Sequence, residues 1–330
     1  MGNEALEVNP PNATYNLSTN GSDWLWTVFS IFGLSLFIIA AWTFTRPRGA
    51  RLFHQIAIVV ITTGALSYFS MASDLGATPV PVEFRGTGTR QIWVRFRLFH
   101  FAMFSTAHFA FVQYVRYIQW FISFPLLLLE LLLATGLSLS DVFTTLFMAI
   151  VLVVTGLVAA LVPSTYKWGY YTFGLLALFY IWYVLLQHAP RTTFAAGASF
   201  KAGYTMTAGY LSFLLLLYPL AWALSEGANV ITVTSEMIWF GILDILAGPV
   251  FLFFFLWKLR GVDYAAFGLQ SGKYTYNGVG EKQAAATTTT ANGQPAVNGG
   301  ANVAVARADS DAAAVDATAP TVTTSPSGNV

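Results

Sequence analysis

Cysteine is absent from this chain of 330 residues, and charge is scarce, with Asp, Glu, Lys and Arg together making up 9%. The first absence removes disulfides, thiolate metal sites and cysteine nucleophiles together. The second, beside a hydrophobic share of 56% and an aromatic share of 16%, is incompatible with a soluble domain of this size and points to several membrane crossings. The four histidines show no HExxH or comparable ligand spacing, so metal chemistry is not expected. A net charge of +1 gives no reason to expect nucleic acid as a partner. No nucleophile, base and oxyanion donor converge in the sequence, so an enzyme is not expected either. A signal peptide is also not expected, because residues 1–22 carry neither a basic region nor an apolar run.

What the chain does have is long apolar runs. Segments of spanning length fall near residues 24–45, 52–75, 115–137, 141–162, 168–188, 206–225 and 235–257, which gives seven helices and an all-α bundle. Residues 1–22 read as an exposed tail with three N-x-S/T sequons, at Asn12, Asn16 and Asn20, usable only on the extracellular or lumenal side. Arg46, Arg48 and Arg51 between spans one and two, Arg191 and Lys201 between five and six, and Lys258 and Arg260 after seven collect positive charge at alternate ends. The positive-inside rule then places the N-terminus outside and the C-terminus in the cytoplasm. Residues 261–330 are dominated by Ala, Thr, Gly and Asn with few large apolar side chains, and a disordered cytoplasmic tail is expected there.

Polar side chains inside the spans are the candidates for chemistry, since each is costly in lipid. In the third span Arg116 and Gln119 lie on neighbouring turns, Ser123 one turn on, and Glu130 about three turns from Gln119, all near one inward face. Asp244 sits in the middle of the seventh span, where a lone charge costs at least ~3 kcal/mol, and Arg116 is the cation placed to offset it. An Asp244–Arg116 interaction, direct or through water, is expected, with Tyr68 and Tyr218 donating to Asp244. Glu130 has no evident partner and is expected to be neutral, because burial disfavours a bare charge. The five lysines, at 167, 201, 258, 273 and 282, all lie outside the middle of any span.

Several of these segments carry a family resemblance. Leu243-Asp244-Ile245-Leu246-Ala247-Gly248-Pro249-Val250-Phe251, the stretch Arg116 to Glu130, Tyr218-Pro219-Leu220-Ala221-Trp222 with Ser225-Glu226-Gly227, and Tyr68-Phe69-Ser70-Met71 resemble microbial (type I) rhodopsins in order and spacing. The segment Ala77-Thr78-Pro79-Val80-Pro81-Val82-Glu83-Phe84 is of the fungal type. The match runs from about residue 24 to 260 and implies a bacteriorhodopsin-like bundle. It also implies that position 248 is where such proteins carry the lysine that holds retinal as a Schiff base. Glycine has no amine, so a covalent chromophore is not expected at Gly248, and Lys258 lies about 15 Å further along the helix. Whether free retinal enters is left open.

The resemblance assigns further roles. Gln119 stands where pumps have the aspartate that accepts the Schiff-base proton, and an amide cannot take up a proton near neutral pH. Glu130 stands at the resupplying acid, and Glu226 and Glu236 at the outer pair of releasing carboxylates, with a plain alternative as solvated loop acids. Leu215 and Tyr171 stand where tryptophans usually pack on the polyene, while Tyr68, Trp120, Tyr218 and Trp222 remain. The aromatic pocket is therefore partly kept and partly dismantled, as drift or repurposing after loss of the pigment would leave it.

Between Thr89-Arg90-Gln91-Ile92-Trp93 and Tyr114-Val115-Arg116-Tyr117 the family stretch is interrupted by residues 94–113. Two readings stand: a translated intron of 60 nucleotides, or a genuine apolar hairpin or extension of the third helix. The chain resembles the opsin-related fungal branch that includes the 30 kDa heat shock proteins. That resemblance implies a non-photoactive, stress-associated plasma-membrane protein, acting through the bilayer and through partners such as the plasma-membrane proton ATPase, in a pump-modulating or chaperone-like way. Homo-oligomers are usual among such relatives. Two alternatives are a retinal-independent proton or ion conduit using Arg116, Glu130 and Asp244, and, less favoured, a light-driven pump or photosensor. The polar core has a bland alternative of its own, as inherited scaffold polarity that orients the helices.

Overall fold

Seven helices long and apolar enough to cross a membrane follow one another in the described residues. The computed structural model describes residues 4–9, 17–46, 51–75, 78–81, 89–92, 115–192 and 198–261. All of these belong to one compact unit. The questions about residues 94–113 and about the C-terminal tail after Gly261 lie outside the described residues.

A short helix α1 (Glu4–Val8) precedes α2 (Thr19–Phe44) and α3 (Leu52–Ala72). Two four-residue strands, β1 (Thr78–Pro81) and β2 (Thr89–Ile92), pair antiparallel with Thr78 opposite Ile92. Then come α4 (Val115–Leu132), α5 (Leu139–Leu161), α6 (Lys167–Trp182), α7 (Ala198–Trp222), α8 (Val233–Ile245) and α9 (Phe251–Lys258). The bundle is all-helical as expected, and the two-stranded ribbon between α3 and α4 is an addition that the apolar runs gave no sign of.

Three of the spans are widened by π-helical turns: Tyr183–His188 after α6, Ala223–Gly227 after α7, and Leu246–Val250 between α8 and α9. The last contains Gly248 and Pro249, and its irregular turn is tied down by the Tyr210 hydroxyl, which donates to the Leu246 carbonyl at 3.2 Å. Within a membrane such a disturbed turn persists only where protein groups satisfy the freed backbone.

Helix starts follow local chemistry. Ser18, Ser138 and Thr232 each hold extended backbone and accept from the amide three residues on, those of Gly21, Asp141 and Ser235. A hydroxyl there satisfies one of the free amides of the first turn. The Ser18 cap starts α2 at Thr19, before the expected boundary at residue 23, so the Asn20 sequon lies in the first helical turn. The preceding segment is not simply an exposed tail: Leu17 is buried and the Asn9 side chain donates to the Ser73 carbonyl at 3.0 Å.

α4 packs between α3 and α5, α2 lies along α3 and α8, and α5 lies along α6. α4 is the most enclosed span, with 61% of its most apolar stretch buried against 28% in α2 and in α5. Phe37 and Phe44 on α2, Phe143 and Phe147 on α5 and Phe173 on α6 face outward, as lipid-facing side chains do.

Candidate functional site

The enclosed face of α4 brings the expected polar residues inward. Arg116, Gln119, Ser123 and Glu130 are all buried, together with Trp120. Opposite them, α8 contributes Glu236 and Asp244, α7 contributes Tyr218, and α3 contributes Tyr68.

Asp244 is the centre of one cluster. Its Oδ2 accepts from the Tyr68 hydroxyl at 2.6 Å and from Gln119 Nε2 at 3.0 Å. Its Oδ1 accepts from the Tyr218 hydroxyl at 2.6 Å and from Trp120 Nε1 at 3.1 Å. Four uncharged donors thus surround one carboxylate, two on each oxygen, which supplies in place what water would otherwise give. The two tyrosines donate as expected. Gln119 is more than a missing proton acceptor: turned to present its amide nitrogen, it becomes a donor to Asp244.

Arg116 makes its ion pair elsewhere. Nη1 meets Glu236 Oε1 at 3.2 Å, and both side chains are buried. Nη2 turns toward the sulfurs of Met71 and Met237, and the guanidinium lies 4.6 Å from the Phe240 ring centroid and 5.8 Å from that of Trp120. The direct form of the expected Arg116–Asp244 interaction is therefore corrected: the guanidinium pairs with Glu236. Glu236, one helical turn into α8, takes the charge, and Asp244, two turns deeper, is met by neutral donors.

The outer carboxylates are likewise not solvated loop acids. Glu226, in the π-helical turn after α7, is buried and accepts from the Tyr117 hydroxyl, which in turn accepts from Trp222 Nε1 at 3.1 Å. Tyr117 was not singled out from the sequence, although it directly follows Arg116. Glu130 matches expectation: it is fully buried and neither oxygen has a hydrogen-bond partner among the described residues.

The aromatic pocket divides. Trp120, Tyr171, Tyr218 and Trp222 line a cavity of about 50 Å³ with Tyr117 and Phe124, and Tyr171 stacks on Trp222 at 5.2 Å. Tyr68 instead belongs to the Asp244 cluster, and Leu215 is buried away from the cavity wall.

Gly248 does not face open space. A Cβ placed on it would lie 3.2 Å from two ring carbons of Phe32 and 3.8 Å from Ile61 Cδ1. Lys167 opens α6, Lys201 lies in the first turn of α7 and Lys258 closes α9, so the described lysines stand at helix ends. Among the described residues no group of three or more His, Asp or Glu could hold a metal ion.

A family model described as bacteriorhodopsin-like protein matches residues 18–261, the whole bundle just described. The chain belongs to the bacteriorhodopsin-like family. It is 76% identical over 275 residues to protein FDD123 of Trametes versicolor, covering 83% of this chain and 90% of that protein. It is 33% identical to the 30 kDa heat shock protein of Saccharomyces cerevisiae over 276 residues, 76% of each chain. Among solved structures it matches the light-driven proton pump Coccomyxa subellipsoidea rhodopsin at 29% identity with a TM-score of 0.65, over 74% of this chain and 99% of that one. This bacteriorhodopsin-like chain is thus an opsin-related integral membrane protein with fungal relatives, and its fold is that of the rhodopsins.

Proposed function

We propose that this opsin-related protein works without a covalent pigment, as a non-photoactive membrane protein acting through the bilayer and membrane partners. The observation that carries the reading is at position 248: glycine offers no amine, and the ground beside it is held by the Phe32 ring, 3.2 Å from where a Cβ would stand. Retinal does not fit the residues present as a Schiff-base ligand. Two features of the Asp244 cluster add support. The carboxylate is fully engaged by Tyr68, Gln119, Trp120 and Tyr218, and Gln119 puts an uncharged amide where a light-driven pump needs a proton acceptor.

The 33% identity to a protein named a heat shock protein supports a stress-associated role. In this reading the protein resides in the plasma membrane, N-terminus outside and C-terminus in the cytoplasm, and acts on a partner such as the plasma-membrane proton ATPase, by modulating it or in a chaperone-like way. One observation favours a second reading, a retinal-independent proton conduit: deep in the bundle the Glu130 carboxyl has no hydrogen-bond partner among the described residues, a costly feature for scaffold alone.

The test is proton movement in liposomes holding the purified protein, with all-trans-retinal supplied, in light and in darkness. The expected result is no light-dependent pH change and no dark leak above empty liposomes. A dark leak abolished by Glu130→Gln would establish the conduit, and a light-driven signal would overturn both readings.

A further inference from the structure

We infer that Phe32 is the residue that shuts the pigment site, forming with Gly64 and Gly248 one packing unit in which a single ring fills the space of two missing side chains. The inference rests on the reading of the protein as pigment-free. Phe32 sits on α2 and is 1% exposed. On the α3 side its ring lies against Gly64, where an added Cβ would overlap ring carbons outright. On the seventh span it lies against Gly248, where an added Cβ would come within 3.2 Å of two ring carbons. One face of the ring stacks on Tyr68, with centroids 5.5 Å apart and planes 24° apart. Tyr68 is itself fixed by its hydrogen bond to Asp244.

These contacts decide what happens when position 248 gains a side chain. A contact of 3.2 Å requires the ring to retreat by a few tenths of an ångström. The ring is hemmed in on two further sides, because it already lies against the Gly64 backbone and stacks on Tyr68, which donates to Asp244. Interiors packed this closely do not absorb extra atoms by general softness. Lysine adds four more heavy atoms beyond a Cβ that already meets this ring. The loss of photochemistry is therefore written twice, once in the missing amine and once in the ring, and restoring the amine alone does not reopen the site. The reciprocal statement also holds: the ring needs both glycines.

The inference is tested on the full-length protein purified from membranes. Gly248→Lys and the double variant Gly248→Lys with Phe32→Ala are given all-trans-retinal, reduced with borohydride and assayed for covalent retinoid per polypeptide. The double variant is expected to capture at least ten times more than the single one. Equal capture by the two would overturn the role given to Phe32. A second measurement decides the matter even if the lysine variants fail to fold. Gly248→Ala is expected to lower the melting temperature by several degrees in the native background, and by clearly less beside Phe32→Leu, which frees part of the space. The same drop in both backgrounds would again overturn the packing unit. An adduct on the unaltered protein would instead sink the pigment-free reading, a distinguishable failure.

Discussion

Arg116 and Glu236 form a buried ion pair at 3.2 Å, one turn from the start of α8, while Asp244 is left to neutral donors. A buried cation and its counter-ion stand or fall together, because each alone pays desolvation without compensation. Glu236→Gln should therefore destabilise the protein by about 3 kcal/mol, and the loss should be largely absorbed when Arg116→Gln is added. Arg116→Gln and Asp244→Asn should couple more weakly, through the Trp120 ring they share rather than through a direct pair. Thermal unfolding of the four-member cycles in detergent measures both couplings. A stronger coupling of Arg116 to Asp244 than to Glu236 would contradict the pairing.

Asp244→Asn tests the four-donor cluster directly. The substitution replaces an acceptor oxygen by an NH2 group, which then faces donors and leaves at least one buried group unsatisfied. A cost of about 1–3 kcal/mol is expected, larger than the cost of Tyr68→Phe, which removes one hydrogen bond of the four. The same unfolding measurement ranks them, and an Asp244→Asn variant as stable as the parent would remove the cluster's structural weight.

Glu130 gives the opposite sign. Its carboxyl is buried with no partner among the described residues, so it contributes desolvation cost and no compensating bond. Glu130→Leu, of similar volume, should raise stability by about 1–2 kcal/mol. A loss of stability would mean that the carboxyl has a partner, and that the conduit reading loses its motive.

Glycines differ by what faces them. Gly241 on α8 lets α2 approach so closely that an added Cβ would run into the Trp24 indole, whose nitrogen donates to the Met237 carbonyl at 3.3 Å. Gly33 on α2 faces open space. Gly241→Ala should cost about 1–3 kcal/mol through overpacking, whereas Gly33→Ala should be neutral or stabilise by up to ~1 kcal/mol through reduced backbone freedom. Melting temperatures of the two single variants read this contrast.

The sequence carried the seven spans and the inward face of α4, because length, apolarity and helical spacing are local properties. It did not carry the partner of Arg116. Glu236 and Asp244 both lie on the buried side of α8, and the choice between them depends on how deep Arg116 reaches between helices. The plain alternative for Glu226 and Glu236, solvated loop acids, arose because they flank the turn between α7 and α8, yet a π-helical turn and the α8 cap draw both inside. Phe32 was invisible for another reason. In lipid both faces of a span are apolar, so Phe32, buried, and Phe37, 74% exposed on the same helix, look alike in sequence. The signal that could have found it is the pair of glycines facing it from α3 and the seventh span, and only the fold brings those together.

The proposed absence of an attached pigment is tested most directly by the visible absorbance and intact mass of the unaltered, purified protein after incubation with all-trans-retinal and borohydride reduction. No band beyond that of free retinal and an unchanged mass are expected. A shifted band together with a retinyl adduct on any residue would contradict the proposal.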